Sequence, residues 1–389
     1  MSTKFTKVIV ISVALVLALS SCSSEKSSSE KVDKKSQDTT TTRPAQEPVL
    51  KTQVILDELS KPWDIAFVDN KSFIFTEKNG TLNIFKNGSS KKITSIKDVK
   101  SEGEGGLLGL DLDSNFEKNR FLYVCFNSKS AKDVRVARYV FNEKKDSIGE
   151  EKIIVDGIPS KDSGRHSGCR IRSTKDGSLF IGTGDSANSK NPQSPTSLGG
   201  KILRVDREGK GIKGNLGNPF DDRIFNFGHR NVQGIALFDE PLDGVFGFSV
   251  EHGPDRDDEI NLIRNGNFGW APTGGYDESV PMTDTKKFPD AIPAIWSSGD
   301  PTIAPSGATL VSGENWGSYN GSMAVAVLKG QKLKIIKFDK NYSIVFDIDA
   351  ITGFGRIRSV VQGPDGNLYF ATDDESNGKI IKVTPKFSN

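Results

Sequence analysis

Alternating apolar and polar positions recur in short runs along the chain, and turn residues bound each run. "KDGSLFIGTGD" (175–185) and "PDGNLYFATDD" (364–374) share a turn dipeptide, an alternating pattern and a Thr-x-Asp ending. "GKILRV" (200–205) follows the first copy and "GKIIKV" (378–383) follows the second, and "VDNKSFIFTEKNGTLNIFKNG" (68–88) is a weaker copy. Because side chains alternate between the two faces of a strand, this pattern predicts β-strands.

The repeated unit is a strand, a turn and a second strand that begins at glycine, which is typical of a β-propeller blade. No stretch keeps apolar residues at i, i+3, i+4 and i+7, so little helix is expected. At roughly 50 residues per blade, the chain after residue 48 has room for about six blades. We therefore predict an all-β fold, a six-bladed β-propeller over residues 49–389. A pair of β-sandwiches is the structural alternative.

The first 22 residues have the pattern of an export signal. Two lysines, Lys4 and Lys7, precede an apolar run from Val8 to Leu19 that is too short to span a bilayer comfortably as a helix. The letters "LSSC" that follow resemble a bacterial lipobox, which makes Cys22 the predicted site of lipidation. An uncleaved N-terminal membrane helix is the alternative. Both interpretations place the rest of the chain outside the cytoplasm, attached to a membrane.

Residues 23–48 read "SSEKSSSEKVDKKSQDTTTTRPAQEP", with Val32 and Ala45 as the only apolar side chains apart from the prolines. Such a segment cannot bury enough apolar surface to offset its chain entropy. We expect a disordered tether that holds the globular domain away from the membrane.

The balance of charges excludes one class of partner, and the cysteines leave two structural alternatives open. The chain has 52 Lys and Arg residues against 50 Asp and Glu residues, a net charge of +2, so no field would attract nucleic acid. In an exported protein, Cys125 and Cys169 are permitted to form a disulfide. Two buried free thiols are an equal alternative.

The three histidines, His166, His229 and His252, all lie among glycine, charged and amide residues. A propeller collects its loops around a central channel, so these positions are expected to share one face. Arg356 and Arg358 precede a blade strand as His166 does. Because positions i and i+2 of a strand point the same way, the two arginines would form a forked clamp for an anion.

Seven segments, in order, resemble the successive motifs of the glucose/sorbosone dehydrogenase family, whose members are six-bladed propellers using pyrroloquinoline quinone (PQQ) and calcium. The segments are "GEGGLLGLDLDSNFEKNRFLYVCF" (103–126), "HSGCRIRSTKDGSLFIGTGD" (166–185), "LGGKILRVDREG" (198–209), "FGHRNVQGIALF" (227–238), "EHGPDRDDEINLIRNGNFGW" (251–270), "APSGATLVSG" (304–313) and "GRIRSVVQGPDGNLYFATDD" (355–374). "GHRNVQG" and "DDEINL" are the most specific of these.

The resemblance implies a catalytic set of His166, Asp185 and Arg230. His166 stands where the family has the base that removes a hydroxyl proton, a task that suits neutral imidazole. Asp185 matches an aspartate that orients and polarises that imidazole. The implied reaction is oxidation of an aldose sugar at its anomeric carbon to a lactone, with electrons passed to an external acceptor.

No side chain accepts hydride well, so this chemistry requires a cofactor, and the sequence has no GxGxxG motif opening a βαβ unit that would indicate a nicotinamide. The resemblance implies PQQ, a planar tricarboxylate that needs cations around it. The positions that match cofactor-binding or substrate-binding residues of the family are Arg230, Asn231, Gln233, Thr302, Lys329, Arg356 and Arg358.

The resemblance also implies a calcium ion, held by the backbone carbonyls of Gly253 and Pro254. The acidic residues that follow, Asp258 and Glu259 among them, either hold a further ion or brace the loop. The chain departs from the family at Phe268, where tyrosine is common, and at Asp300, where the glucose dehydrogenases have tryptophan. The segment "APSG" (304–307) resembles the broader aldose dehydrogenase branch more closely.

Two functions of other classes remain as alternatives. One is a catalytically silent propeller at the cell surface that binds a sugar or a protein partner. The other is a calcium-dependent lactonase, which would need carboxylates and an asparagine converging on calcium rather than a set of arginines and lysine.

Overall fold

The protein's structure, a computed structural model, describes residues 46–387. The predicted signal segment, the predicted lipidation site Cys22 and the tether up to residue 45 lie outside this range. In the described part, helix is confined to α1 (Phe116–Asn119) and a 3₁₀ helix (Glu314–Tyr319). No helix in residues 46–387 is long and apolar enough to cross a membrane.

The strands form six antiparallel sheets, which we number as blades 1 to 6 along the chain. Blade 1 contains β2 (Pro62–Phe67), β3 (Phe73–Glu77), β4 (Thr81–Lys86) and β5 (Ser89–Ser95). Blade 2 contains β6 (Leu107–Leu112), β7 (Phe121–Asn127), β8 (Asp133–Asn142), the short β9 (Ser147–Ile148) beside it, and β10 (Lys152–Pro159). Blade 3 contains β11 (Gly168–Ser173), β12 (Leu179–Thr183), β13 (Lys201–Val205) and β14 (Ile224–Phe227).

The other three blades follow the same order. Blade 4 contains β15 (Val232–Leu242), β16 (Val245–Glu251), β17 (Glu259–Leu262) and β18 (Trp296–Ser297). Blade 5 contains β19 (Pro305–Val311), β20 (Ser322–Val327), β21 (Lys332–Phe338) and β22 (Ile344–Thr352). Blade 6 contains β23 (Ile357–Gln362), β24 (Leu368–Thr372) and β25 (Gly378–Lys386), and its outermost strand is β1 (Val49–Leu59).

The six blades close into a ring. The first strand of each blade, counted from the centre, contacts the first strand of the next blade, and β23 contacts β2. At the closure, β1 pairs antiparallel with β25, from Val49 opposite Lys386 to Leu59 opposite Gly378. The predicted six-bladed propeller is confirmed, and the repeats at 175–185 and 364–374 are the second strands of blades 3 and 6.

Packing between blades explains why the inner strands are so apolar. Every residue of β20, "SMAVAV", is buried, as is every residue of β24, "LYFAT". A strand covered on both faces by neighbouring blades has no solvent face and so loses its alternation. The buried apolar residues form six clusters, one at each interface between adjacent blades.

A disulfide joins blades 2 and 3. Cys125 in β7 pairs with Cys169 in β11, with 5.6 Å between their Cα atoms, and both residues are fully buried. Of the two alternatives left open by the sequence, the structure therefore contains the disulfide. It holds β11 to the neighbouring blade just after His166.

Chain direction alternates within each blade, so the first strand begins, the second ends and the third begins at the same end of the ring. We call this end the site face. Residues just outside those three strand ends come together there, although they lie far apart in the sequence. His166 precedes β11, Asp185 follows β12, Arg230 and Asn231 precede β15, and Arg356 precedes β23.

Candidate functional site

His166 and Asp185 are brought together by two close approaches of the backbone. In the pairing of β11 with β12, a Cβ on Gly168 would lie 2.4 Å from the nitrogen of Gly184. A Cβ on Gly184 would lie 1.9 Å from the carbonyl oxygen of His166. His166 itself has φ of 55°, in the left-handed region that non-glycine residues rarely adopt. The two glycines therefore allow the strained turn that presents the histidine.

Asp185 is held by four donors. Its Oδ1 lies 2.8 Å from His166 Nδ1 and accepts from the backbone N–H of Ala187 at 2.8 Å. Its Oδ2 accepts from Trp270 Nε1 at 2.8 Å and from the hydroxyl of Tyr276 at 2.6 Å. Burial and the Asp185 carboxylate raise the pKa of Tyr276, so its phenol stays protonated and keeps donating. The carboxylate is thus fixed in place and His166 is oriented by it.

The contacts of His166 define which ring nitrogen carries the proton. Nδ1 faces the Asp185 carboxylate and must donate, while Nε2 lies 3.3 Å from the Nε–H of Arg165 and must accept. His166 is only 3% exposed and Asp185 is fully buried. The free electron pair of the imidazole is therefore on Nε2, which is the nitrogen available to remove a proton.

Arg230 is buried beside this pair. Its backbone N–H donates to Glu251 Oε2 at 2.8 Å, and its NH1 donates to the carbonyl oxygen of His252 at 3.0 Å. Its Nε and NH2 both donate to Glu278 Oε1, at 2.9 and 2.6 Å. The guanidinium is therefore fixed by partners from two loops.

Asn231 and Gln233 connect the neighbouring loops. Asn231 Oδ1 accepts from the N–H of Gly168 at 3.1 Å and from Gln233 Nε2 at 3.0 Å, and its Nδ2 donates to Glu104 Oε2 at 3.0 Å. Glu104 Oε2 also accepts from the backbone N–H of His166 at 3.2 Å. In this arrangement Asn231 fixes the turn that carries His166.

Arg356 and Arg358 point the same way, as the i, i+2 spacing predicted. Both contact Asp373 Oδ2, Arg356 through Nε at 3.2 Å and Arg358 through NH2 at 3.0 Å. Lys78 lies nearby, and burial together with the charges of Lys61 and Arg358 lowers its pKa. The arginine Nε of Arg358 is buried and has no hydrogen-bond partner in residues 46–387. This part of the site face is rich in cations, and one of its donors is unused.

His229 and His252 lie at strand ends on the site face, as expected, but their surroundings differ from those of His166. His229 is fully buried, with Nδ1 2.7 Å from Glu251 and its ring stacked on Phe268 at 4.6 Å between centroids. His229 is therefore a packing residue. Nε2 of His252 is buried without a partner within the described chain, and burial lowers the pKa of His252 to about 4, so the ring is neutral near pH 7.

The loop that carries the predicted calcium ligands is braced by Asp258. Its carboxylate accepts from the N–H of Gly253 at 2.9 Å, from the hydroxyl of Thr302 at 2.8 Å and from the N–H of Ile303 at 2.7 Å. Thr302 thus contacts Asp258 in this structure. These contacts support the bracing alternative for Asp258.

Glu259 lies close to Glu251, and Asn261 Nδ2 donates to both carboxylates, at 3.1 and 2.9 Å. Burial and the charge of Glu251 raise the pKa of Glu259 to about 8. No group of three or more His, Cys, Asp or Glu side chains in residues 46–387 is arranged to hold a metal ion. An ion at Gly253 and Pro254, or at Asp258 and Glu259, stays a prediction.

Lys329 is exposed in the turn between β20 and β21, which is at the site face. It forms no ion pair with the described residues. Asp300 is also exposed, on the segment before Thr302. The structure therefore places both residues at the expected end of the ring, with their side chains in solvent.

Several residues of the site were not found from the sequence. Glu104 and Lys78 could have been found from their places beside strand ends, since Glu104 precedes β6 and Lys78 follows β3. Tyr276 and Glu278 lie on the long segment between β17 and β18, which has no periodic pattern to place it. Arg165 directly precedes His166 in the sequence, and no motif of its own distinguishes it.

Lys201 lies behind the loop that carries Asp185. Its side chain is fully buried, and its Nζ lies within hydrogen-bond distance of the carbonyl oxygens of Asn191 at 2.7 Å, Pro192 at 2.9 Å and Gly199 at 2.9 Å. Asn191 Nδ2 donates in turn to the carbonyl oxygen of Asp185 at 2.9 Å. Lys201 therefore holds together the loop that carries Asp185.

We expect Lys201→Met to change how stability depends on pH. Burial lowers the pKa of Lys201 to about 7 from its ordinary value of 10.5. Between these pH values the unfolded chain keeps a proton that the folded chain has lost. The free energy of unfolding therefore gains up to about 1.4 kcal/mol per pH unit from this residue as pH rises. Urea denaturation at several pH values in this range should show that the free energy of unfolding rises less steeply with pH for the variant than for wild type. Equal slopes for the two proteins would mean that the folded amine keeps its proton.

The sequence of the propeller is similar to those of known proteins. Residues 59–382 match the model of the family described as "Glucose / Sorbosone dehydrogenase". An uncharacterized protein of Synechocystis sp. is 30% identical over 373 residues, which cover 87% of each chain. Aldose sugar dehydrogenase YliI of Escherichia coli is 28% identical, over 86% of this chain and 92% of the other.

A solved structure, the PQQ-bound form of aldose sugar dehydrogenase from Streptomyces coelicolor, is also similar. It has a TM-score of 0.69 and 26% sequence identity, and the match covers 86% of this chain and 98% of the other. The family match covers nearly all of the six blades. The chain therefore belongs to the glucose/sorbosone dehydrogenase family.

Proposed function

We propose that this protein is an exported, lipid-anchored quinoprotein that oxidises aldose sugars at the anomeric carbon to lactones, using PQQ and calcium and passing the electrons to an external acceptor. One observation carries the proposal. His166 has its Nδ1–H directed to the buried Asp185 carboxylate, and the electron pair on its Nε2 faces Arg165, a half-exposed side chain that a substrate can displace. This is the arrangement needed to remove the proton of a sugar hydroxyl.

The residues present fit a tricarboxylate cofactor. Arg230, Arg356, Arg358, Lys61 and Lys78 belong to the blades that meet at the site face, and planar guanidinium groups suit carboxylates. The buried Nε of Arg358 lacks a partner in the described range, as does Nε2 of His252. An anion with several carboxylate and carbonyl oxygens would give the buried Arg358 donor an acceptor. PQQ, when bound, would supply the acceptor for the hydride.

The chain's own groups account for the rest of the reaction. His166 Nε2 takes the proton of the anomeric hydroxyl as the C–H bond at the same carbon breaks, so that a C=O bond forms and two electrons leave with the hydride. Asp185 keeps the imidazole in the required tautomer and stabilises the imidazolium that results. Tyr276 and Trp270 hold Asp185 in place through its Oδ2.

The calcium part of the proposal rests on two backbone carbonyls. Within residues 46–387, the carbonyl oxygens of Gly253 and Pro254 accept no backbone hydrogen bond, and oxygen ligands of this kind suit Ca²⁺. Asp258 fixes the loop that carries them, so the two carbonyls are held in a defined orientation.

The proposal is tested by measuring dye-linked sugar oxidation with purified protein, with and without added PQQ and calcium. We expect activity on several neutral aldoses only when both are added. Nicotinamide cofactors should support no activity. Failure to reduce the dye with any aldose, despite PQQ binding, would favour a propeller that binds its ligand without catalysis.

The anchor is tested separately with Cys22→Ser. Without the cysteine, lipidation cannot occur, and the apolar run from Val8 to Leu19 is too short to hold as a spanning helix. We expect the variant to be released from membranes or to remain unprocessed, as measured by partitioning into detergent and by the mass of the N-terminal segment. A variant that is fully cleaved and still membrane-bound would show that another attachment dominates.

A further inference from the structure

Glu278 places one carboxylate between two guanidinium groups at the site face. Its Oε1 accepts from Arg230 Nε at 2.9 Å and from Arg230 NH2 at 2.6 Å, and its Oε2 pairs with Arg165 NH2. Proton removal by His166 does not require this carboxylate. Its role must therefore concern the charge or the shape of the site.

Arg165 is the guanidinium beside the reacting nitrogen, since its Nε lies 3.3 Å from His166 Nε2. Its side chain is 41% exposed, whereas that of Arg230 is 5% exposed, so Arg165 is the one that has room to move. A sugar hydroxyl that gives its proton to Nε2 must replace the Arg165 contact. The guanidinium of Arg165 must then lie next to the bound sugar.

Glu278 also lines a cleft that is open to solvent. With Pro254, Asp255, Arg256 and Ser279 it lines a cleft of about 520 Å³. The cleft therefore borders the same carboxylate that pairs with both arginines. Glu278 is thus reachable from solvent while it pairs with both arginines.

We propose that Glu278 is a specificity-determining residue that restricts the site to neutral sugars, an inference that rests on the proposed function. Because Glu278 pairs with Arg165 and Arg230, a sugar carboxylate finds these two guanidinium groups already occupied. The negative charge of Glu278 also repels it. Such rejection through a like charge is a common means of specificity. Glu278→Gln keeps the size of the side chain and removes the charge, leaving the more mobile Arg165 free to bind a carboxylate.

The test compares D-glucose with D-glucuronate, which differ in the carboxylate at carbon 6 and share the anomeric hydroxyl. Calorimetric titration of the protein without PQQ gives the affinity for each sugar, and dye-linked assays with PQQ and calcium give kcat/KM. We expect Glu278→Gln to bind glucuronate roughly tenfold more tightly than wild type, because a charge-assisted contact is gained. Its affinity for glucose should change little. Added salt should weaken the gain.

Two control variants make the result specific. Glu208→Gln removes a carboxylate that also pairs with two cations, Arg138 and Lys152, but lies past the other end of β13, and it should alter neither affinity. Arg165→Gln combined with Glu278→Gln should return glucuronate affinity to the wild-type level, and this double variant leaves no unpaired Arg165 to destabilise the fold.

The outcomes separate this inference from the proposed function. If wild type oxidises no sugar, the proposed function fails, and the calorimetric comparison still decides the role of Glu278. Unchanged or undetectable glucuronate binding by Glu278→Gln overturns the inference. An equal gain in affinity for glucose and for glucuronate also overturns the inference. The effect would then come from a change in the room available to the sugar rather than from the lost charge.

Discussion

His166→Gln should lower the rate of sugar oxidation by about 10²- to 10⁴-fold while PQQ binding is retained, which is the usual cost of losing a general base. The reason is geometric. Nε2 of His166 carries the free electron pair, and its tautomer is fixed by Asp185 at 2.8 Å from Nδ1. The cationic groups expected to bind PQQ are separate from this nitrogen. Single-turnover dye reduction after reconstitution, together with a PQQ titration, measures the two properties independently.

Two further variants show whether the loss is one of proton removal. His166→Ala should recover part of its rate when imidazole is added, because a free base can enter the vacated space. Asp185→Asn should lower kcat with little change in PQQ affinity, since it disturbs the tautomer of His166. Near wild-type turnover in reconstituted His166→Gln would assign the base to another group.

Replacing Arg356 and Arg358 together by glutamine should weaken PQQ binding by at least about 100-fold, since each hydrogen bond to a charged group contributes about 1.5–3 kcal/mol. The loss is enlarged because Asp373, which both arginines contact, is left without its partners and repels an anionic cofactor. In thermal melts, wild type should gain stability when PQQ and calcium are added together, by mass action on the folded state. The double variant should gain little at the same concentrations.

Arg138→Gln combined with Lys152→Gln is the matched control. These two cations also share one carboxylate, that of Glu208, on the outer strands of blade 2. This control variant should respond to PQQ as wild type does. If the Arg356/Arg358 double variant also showed the full wild-type shift, the cofactor would have to be held elsewhere.

The repeats identified the architecture because the second and third strands of blades 1, 3 and 6 carry nearly the same pattern. The strands at 179–183 and 368–372 fall inside the predicted segments. The pairing of β1 with β25 had no such signal, since β1 is an outer strand with mostly exposed residues and no copy in the repeats. Closure of the ring depends on which strand edges are left unpaired once all the blades have formed. This is a property of the whole fold, so no single segment of the sequence shows it.

The candidate site could be predicted only where a residue type and a strand end coincide. His166 and Asp185 flank strands of one blade, and their separation of 19 residues kept them within a single recognisable motif. Tyr276 is 110 residues from its partner His166, on a segment without regular strands, so no local pattern connects the two. The acidic run at Asp258 was ambiguous because the same carboxylate can bind an ion or cap backbone N–H groups. Only the positions of Gly253 and Ile303 distinguish these roles.

The pairing of β1 with β25 also governs the order in which this protein can become folded. β1 begins the propeller and β25 completes it, so during synthesis β1 stays unpaired until residues 378–386 have appeared. Until then it is an unpaired edge, a template for pairing with other chains. Contacts between such distant segments also slow folding, because the loop must close before they form. Loss of residues 378–386 would therefore leave a ring that cannot close, and the expected consequence is aggregation during biogenesis rather than a slightly less stable enzyme.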